Sequence, residues 1–491
     1  MNVTRRPSSG LLVTTLPLPN ISLHEAFQRA AFSPLSCLLE GSRGGWFDGR
    51  FSLLGGCPFA LFKSNGSTST FHYLDGEDTR IWHDTGDPTV ALQRWLDQFR
   101  PSLPCPTEVL PLLLMPFLQG GVVGYFGYEL VSQFENLPRP PLSDFRLPDI
   151  QLLFLDFFVV ADHLLNQLHL IYNPAPRVCM GKPPHVSLRE GHQKMAALQQ
   201  RLETATPEET IVRSRALPRS ELTQEAYIQN ILRAKTYIAA GDIFQINLSH
   251  RFSIPTYATS PFPIYRRLQQ INPSPFAAYL EMEEVQIASG SPERLIRLQN
   301  NPLGAHVETW PIAGTSPRGG DFQEDVRMAE VLHRSGKERA EHLMLVDLGR
   351  NDLGRVCQYG SVRVTSLMEI ERYSHVMHLV SRISGVLCPG VLPLQVLRAV
   401  FPGGTITGAP KIRCMEIISE IEARPRGVYT GAIGYISFTG EMDLNIAIRT
   451  WVRCGQEMTF QVGGGIVADS DPEAEYQETL HKAAALMHAL G

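Results

Sequence analysis

Four glutamates in two distant segments have the spacing of a divalent-cation site. Glu338 and Glu341 lie three residues apart in a stretch with a helical pattern, and Glu475 and Glu478 repeat that spacing near the end of the sequence. On a helix, residues three apart lie on one face, one turn from each other. Two such helices could hold Mg²⁺, which prefers oxygen ligands and keeps positions open for substrate. The alternative for each pair is a solvent-exposed helix face.

Three further side chains could act on a bound molecule. Arg449 stands among apolar residues of a predicted strand, where it could hold a substrate carboxylate bidentately or pair with an internal acid. Glu293 follows a predicted strand and could serve as a general acid if burial raised its pKa. His378 lies in a strand-like run, and its ordinary pKa suits acid–base catalysis. A purely structural role is the alternative for His378.

Two glycine-rich segments could bring backbone amides close to a ligand. Residues 403–411 do not match the phosphate-loop pattern, because Gly-x-x-x-x-Gly-Lys-Ser/Thr is absent. They do lead into a predicted helix, whose first amides could hold an anion, although a structural turn is equally consistent. Gly463, Gly464 and Gly465 end a predicted strand and would let a flat ligand lie against the backbone, or would serve a tight corner.

The elements around these residues are long strands and grouped helices. Residues 1–205 form a strand-rich N-terminal region, residues 203–223 are a polar linker, and residues 223–491 carry the candidate residues. The pattern predicts an α+β fold with large antiparallel sheets, in which both regions share one core. Helices are predicted at residues 188–202, 223–240, 329–345, 410–421 and from 471 onward, and strands at residues 120–128, 149–162, 167–172, 243–252, 276–282, 374–385, 431–438, 442–452 and 459–465.

Composition places the chain among ordinary globular proteins. Its 491 residues are 43% hydrophobic and 19% charged, and the net charge of −5 gives no reason to expect nucleic acid or an anionic membrane as a partner. No apolar run approaches the length of a membrane span. The eight cysteines form no Cys-x-x-Cys pair, which favours reduced thiols and a cytoplasmic location, while the first 20 residues leave a transit segment open.

Taken together, these segments resemble the chorismate-utilising enzyme family. The resemblance covers residues 223–490 in the right order and extends more weakly into the N-terminal half through residues 38–52 and 120–128. It implies one α+β unit of two large antiparallel sheets packed face to face, with helices outside, that binds chorismate with Mg²⁺. The segments that carry it are 243–248, 291–294, 311–315, 338–352, 373–385, 403–422 and 463–482.

The resemblance also implies a role for each candidate residue. Glu341 and Glu478 correspond to direct Mg²⁺ ligands, and Glu338 and Glu475 support them. Glu293 corresponds to the acid that protonates the departing 4-hydroxyl group. Positions that contact the ring or bind substrate carboxylates are His378, Thr405, Gly314, Thr315, Tyr429, Arg449, Gly463, Gly464, Gly465 and Lys482.

Two positions bear on the branch of the family. Gln245 stands where water-adding members carry a lysine base, which disfavours isochorismate and salicylate formation and fits ammonia as nucleophile. Many members make 4-amino-4-deoxychorismate on the way to para-aminobenzoate and folate, and these carry a nucleophilic lysine at the position of Ala313. Members that form anthranilate have alanine there. Residues 245–248, 291–294 and 403–408 nevertheless resemble the aminodeoxychorismate branch. The segment that resembles the family's tryptophan-inhibition pocket also differs from the usual sequence of that pocket, because Gly41 stands in place of a serine.

The favoured expectation is therefore a large subunit that aminates chorismate to 4-amino-4-deoxychorismate. Anthranilate formation is the alternative, and a non-catalytic chorismate or tryptophan sensor is the alternative of a different class. No Gly-x-Cys-x-Gly nucleophile elbow is present. The resemblance therefore implies a separate glutamine amidotransferase subunit that supplies ammonia.

Overall fold

The computed structural model describes most of the 491 residues. The described residues are 10–18, 21–32, 34–42, 44–76, 78–101, 115–138, 147–203, 217–255, 261–301, 304–373 and 376–490. Most of the predicted linker (204–216) and the first two residues of the predicted strand at 374–385 lie outside them. So does much of the segment considered for transit.

Two sheets of twelve strands each form the body of the molecule, and every strand pair among the described residues is antiparallel. The first sheet contains β1 (Leu12–Pro17), β2 (Ser36–Gly41), β3 (Phe51–Gly56), β9 (Phe157–Asp162), β10 (Gln167–Tyr172), β11 (Arg219–Ser220), β12 (Gln245–Pro255), β13 (Phe276–Met282), β14 (Val285–Ser291), β20 (Gly408–Ala409), β23 (Thr450–Cys454) and β24 (Glu457–Ile466). The second contains β4 (Ala60–Asn65), β5 (Thr68–Asp75), β6 (Asp78–Thr85), β7 (Gly121–Phe126), β8 (Ile150–Leu155), β15 (Arg294–Asn301), β16 (Gly304–Thr309), β17 (Ile312–Pro317), β18 (Arg363–Arg372), β19 (Val376–Val386), β21 (Ala432–Ser437) and β22 (Met442–Ile446).

Helices cover the outer faces of this pair of sheets. They are α1 (Leu23–Ala30), α2 (Pro88–Gln98), α3 (Ala175–Cys179), α4 (Pro184–Glu203), α5 (Gln224–Ala239), α6 (Pro261–Ile271), α7 (Phe322–Arg334), α8 (Gly336–Gly354), α9 (Pro393–Val400), α10 (Lys411–Glu422) and α11 (Pro472–His488). None of the helices in the described ranges is long and apolar enough to cross a membrane.

The core confirms that the sheets pack face to face. One buried cluster combines Leu39 and Leu53 of the first sheet with Val123, Leu153 and Ile433 of the second, so it fills the space between them. A second cluster packs helices α1, α4, α6 and α11 on the outer face of the first sheet, and a third packs α2, α8 and α9 on the second. The predicted α+β architecture with helices outside is therefore confirmed.

The strand order relates the two halves of the chain. The first sheet runs β10-β9-β3-β2 and continues as β13-β14-β23-β24, while the second runs β4-β8-β7 and continues as β21-β22-β15. The Gly-x-x-Gly-Tyr sequences of β7 and β21 lie side by side, with Gly124 opposite Gly434. Strands from before and after the predicted linker thus meet in the middle of both sheets.

Two stretches predicted as single strands are each two strands in different sheets. Residues 149–162 divide at Asp156 into β8 and β9, and residues 442–452 divide at residues 447–449 into β22 and β23. The predictions were wrong because apolar residues continue on both sides of each division, so the sequence pattern does not mark the change of sheet. Chains that switch sheets do so through a bend. Arg449 provides one, with φ of 51°.

The helices that carry the paired glutamates begin at side-chain caps. Residues 329–345 were predicted as one helix, but Ser335 ends α7 and begins α8, and its hydroxyl accepts from the Glu338 amide. The predicted start of the last helix is confirmed: the Asp471 side chain accepts from the Ala474 amide, and Pro472 is the first helical residue. Pro410 immediately precedes α10 and does not lie within it.

Candidate active site

Of the glutamate pair on α8, Glu341 faces β12. Glu341 Oε1 accepts a hydrogen bond of 2.7 Å from Gln245 Nε2. Burial raises the pKa of Glu341, the Gln245 hydrogen bond opposes that rise, and the negative charge of Glu338 adds to it. A buried carboxylate beside a like charge gains stability from a nearby cation.

The pair of α11 has one buried and one exposed member. Glu475 is buried, and its Oε1 accepts a hydrogen bond of 2.7 Å from the Ser470 hydroxyl. Burial raises the pKa of Glu475, Ser470 opposes the rise, and the charge of Glu478 adds to it. Glu478 is exposed and pairs with Lys482 at 2.8 Å.

The same two lysines act on one glutamate of each pair. Lys337 and Lys482 both lower the pKa of Glu341 and of Glu475. Because charges act over short distances in water, a common effect of the same two lysines indicates that the inner glutamates of the two helices face one region.

The glycine strand lies between these helices. A Cβ atom at Gly464 would lie 3.4 Å from Glu475 Oε2, and one at Gly465 would lie 3.4 Å from Glu341 Oε1. A Cβ at Gly314 would lie 3.0 Å from Glu338 Oε2. Absence of side chains at these positions leaves the carboxylates room on both sides of the strand end.

The donor chemistry fits Mg²⁺, although the acids do not form a closed cluster. Within the described ranges, no three histidine, cysteine, aspartate or glutamate side chains are grouped closely enough to hold a metal ion. Mg²⁺ is commonly held by one or two protein carboxylates, with water and substrate oxygens completing its shell. Glu341 from α8 and one acid from α11 would satisfy that requirement. The four-glutamate site stays a prediction.

The His378 imidazole is neutral, and its Nε2 is available as a hydrogen-bond acceptor. Its Nδ1 lies 3.3 Å from the Gly314 carbonyl oxygen and 3.0 Å from Thr315 Oγ1, so Nδ1 carries the proton donated to that carbonyl. Nε2 is buried and has no partner in the described part of the chain. Burial lowers the pKa of His378 to about 4, and the charges of Arg449 and Lys482 act in the same direction. A pKa this low favours a role as a hydrogen-bond acceptor, and acid–base catalysis by His378 stays a prediction.

Glu293 is a buried acid that stays partly protonated at neutral pH. It lies at the bend between β14 and β15, and burial raises its pKa to about 7. The Thr405 hydroxyl, the Ile312 amide at 3.4 Å and the Arg449 charge oppose that rise. A carboxyl group with a pKa near 7 can donate a proton at neutral pH.

The Arg449 guanidinium group lies near Glu293 and Tyr373, which both act to raise its pKa. It makes no hydrogen bond or ion pair with the residues that the structure describes. Burial lowers its pKa. An enclosed guanidinium group that lacks an acidic hydrogen-bond partner is suited to hold a ligand carboxylate.

Replacing Arg449 by lysine should raise KM for chorismate about tenfold with a smaller change in kcat, because lysine keeps the charge and loses the bidentate geometry. Steady-state kinetics of R449K measure this. R453K is the matched control, since Arg453 lies on β23 and donates to Gln286. An unchanged KM in R449K would contradict the assignment.

The remaining predicted ligand-binding residues surround the end of β24. Lys482 Nζ donates to the Gly463 carbonyl at 3.0 Å. A Cβ at Gly463 would lie 2.8 Å from the Tyr429 hydroxyl oxygen, so Tyr429 faces this glycine. Ala313 lies on β17 opposite Leu379 of β19, next to Gly314.

Sequence reasoning missed Tyr373 and Asn247. The Tyr373 ring contacts the His378 ring edge-on, with centroids 5.5 Å apart. Asn247 Oδ1 is buried and lacks a partner in the described ranges, and it would lie 2.9 Å from a Cβ at Gly463. Both residues belong to segments that carry the family resemblance, but nothing in their spacing distinguishes them from core residues.

Comparisons with known proteins agree with this geometry. The model of the family described as chorismate binding enzyme matches residues 57–488. The chain is 43% identical over 491 residues to anthranilate synthase component 1 of Thermus thermophilus, covering 99% of this chain and 98% of that protein. It is 39% identical over 497 residues to aminodeoxychorismate synthase component 1 of Bacillus subtilis (strain 168), covering 99% and 97%.

Among solved structures, the crystal structure of anthranilate synthase component I from Streptococcus pneumoniae TIGR4 superposes with a TM-score of 0.76 at 33% identity, covering 89% of this chain and 92% of that chain. The resemblance drawn from the motifs is confirmed. The protein belongs to the family of chorismate-binding enzymes.

Proposed function

We propose that this enzyme aminates chorismate with ammonia to give 4-amino-4-deoxychorismate. The observation that carries the choice of nucleophile is Gln245, whose amide donates to Glu341 Oε1 and whose Oε1 is buried. An amide cannot take a proton from water, whereas ammonia is nucleophilic without a base.

Substrate binding would use the cationic and backbone groups around β24. Arg449 and Lys482 would hold the two carboxylates, with Tyr429 and the amides of Gly463, Gly464 and Gly465 beside them. Mg²⁺ held by Glu341 and Glu478, with Glu338 and Glu475 in support, would bind the ring carboxylate and withdraw electrons from the diene. The free Nε2 of His378 and the Thr405 hydroxyl would contact the ring.

Glu293 would protonate the 4-hydroxyl group, which leaves as water. With Ala313 on β17, no lysine is present there to attack C2. Ammonia itself would therefore add at C2, and a second ammonia would attack C4 and expel the first. The relative from Bacillus subtilis named aminodeoxychorismate synthase component 1 supports this branch.

Anthranilate synthesis is the second candidate. The 43% identical relative from Thermus thermophilus is named anthranilate synthase component 1, and Ala313 agrees with that branch. The segment that resembles the tryptophan pocket supports the first candidate. A side chain at Gly41 would overlap the Phe51 carbonyl oxygen, so the serine of that pocket does not fit here. The Trp46 indole is buried in the core between the sheets and donates to the Ala277 carbonyl at 2.9 Å.

Tryptophan should therefore leave the rate of chorismate consumption unchanged, because a serine side chain has no room at position 41. Initial rates at increasing tryptophan concentration measure this. Histidine at the same concentrations is the control. Saturable inhibition by tryptophan alone would favour the anthranilate candidate.

A glutamine amidotransferase is the proposed partner. The sequence lacks the cysteine nucleophile motif of that chemistry, and both relatives are named as component 1 of their enzymes. Ammonium salts should replace the partner in vitro.

Product analysis tests the proposal. The purified chain is incubated with chorismate, Mg²⁺ and an ammonium salt, and the products are separated by chromatography. We expect 4-amino-4-deoxychorismate as the main product. Fluorescent anthranilate as the main product would refute the first candidate and support the second.

A further inference from the structure

A cavity of about 30 Å³, enough for roughly two water molecules, lies beside the Glu293 carboxyl. Its lining includes Glu293, Thr309, Asp352, Val400 and Thr405. Ala313, His378, Arg449 and Lys482 do not line it, so it is separate from the proposed carboxylate-binding groups. Glu293 and Thr405 are the candidate site residues that belong to both regions.

Asp352 presents an unpartnered oxygen in the wall of this cavity. Its side chain is 4% exposed, and Oδ2 accepts a hydrogen bond of 2.6 Å from Lys411 Nζ. Oδ1 is buried and has no partner in the described part of the protein. The Lys411 ammonium also donates to the Val400 carbonyl at 3.0 Å, which fixes the ion pair.

The polar atoms of the cavity suit ordered water. A buried carboxylate oxygen that lacks a hydrogen bond destabilises the fold. Thr405 Oγ1, beside the Glu293 carboxyl, likewise lacks a partner of full hydrogen-bond geometry among the described residues. Water in a polar cavity of this kind bridges such groups.

We propose that this cavity holds a water chain from Asp352 to Glu293 through which the Glu293 carboxyl recovers its proton from solvent after each turnover. The inference rests on the proposed role of Glu293 as the acid. In each turnover the O–H bond of Glu293 breaks, the proton joins the 4-hydroxyl oxygen as its bond to C4 breaks, and water leaves. Ammonia that has formed a C–N bond releases a proton to solvent. One proton must therefore return to Glu293, and no electrons are exchanged.

Asp352 acts as the acceptor that orients the chain, and Lys411 is a positioning residue. Two variants should interrupt the proposed water chain without changing any of the carboxylate-binding groups. Val400→Phe fills the cavity. The double variant D352L/K411M replaces the ion pair by apolar side chains of similar size, a change that is often neutral for stability. Val131→Phe is the matched control, because Val131 lines a cavity of the same volume, about 30 Å³, beside Tyr128 and Glu129.

The measurements are kcat and KM for chorismate loss, thermal unfolding, and the solvent deuterium isotope effect on kcat. For both V400F and D352L/K411M we expect kcat to fall at least about tenfold, with kcat/KM unchanged and a larger isotope effect on kcat, since proton return after product formation becomes limiting. V131F should match the wild type. A folded V400F or D352L/K411M with wild-type kcat, or one that changes only KM, overturns the proposal.

If either V400F or D352L/K411M fails to fold, the kinetics of the other variant decide the test. Chorismate loss is followed whatever the product, so a finding of anthranilate would refute the proposed function and leave this test intact. A wild-type protein that consumes no chorismate would refute the proposed function itself.

Discussion

Glutamine in place of Glu341 should lower kcat for chorismate consumption by about 10³-fold, or roughly 4 kcal/mol of transition-state stabilisation. The substitution keeps the side-chain size but removes the inner negative charge of α8. Steady-state assays over a range of Mg²⁺ concentrations measure the effect. The free energy of unfolding should not fall, because partial burial and the neighbouring charge of Glu338 raise the pKa of Glu341, so its negative charge opposes folding.

Asp347→Asn is the control for E341Q. Asp347 lies on the same helix, is exposed, and pairs with Arg350. We expect wild-type kinetics for D347N. Equal activity of E341Q and the wild type at limiting Mg²⁺ would show that Glu341 of α8 is not a ligand in the proposed metal site.

Replacing Glu293 by glutamine should lower kcat by about 10²- to 10⁴-fold, because the 4-hydroxyl group would lose its proton donor. The pH dependence has a definite sign. Burial raises the Glu293 pKa from its ordinary value of 4.5 to about 7, so the acid form dominates below pH 7. Wild-type kcat/KM, expressed per free ammonia, should fall above about pH 7. E293Q should lose this fall.

Stability gives an independent measurement for Glu293. The folded protein holds this proton up to about pH 7, whereas the unfolded chain releases it near pH 4.5. The contribution to the free energy of unfolding is therefore complete below pH 4.5 and is lost as pH rises through 7. E293Q should lack that decline. For the kcat measurement, Glu441→Gln is the control. Burial raises the pKa of Glu441 as well, but this residue lies in the turn between β21 and β22. A steep loss of kcat in E441Q would point to a structural cause.

Short-range features of this chain follow directly from its sequence. The cap at Asp471 and the helical spacing of Glu338 and Glu341 depend on residues within one turn, so they are predicted correctly. The strand at Gly463, Gly464 and Gly465 is also recognisable from its local pattern.

Long-range features are not available from spacing. Arg449 was predicted inside a strand because its apolar neighbours continue on both sides, yet it forms the bend between two sheets. The contact between Gln245 and Glu341 joins residues 96 positions apart. The low pKa of His378 arises from burial and from two cations on other elements, which only the folded structure brings near.

Direct metal binding tests the central claim, that carboxylates from α8 and α11 hold one Mg²⁺ beside the substrate. Isothermal titration of the chain with Mg²⁺ in the presence of chorismate, for the wild type, E341Q, E478Q and D347N, separates binding from turnover. The account predicts one ion per chain for the wild type and D347N, and weakened binding in both E341Q and E478Q. Binding in E341Q and E478Q as tight as in the wild type would contradict it.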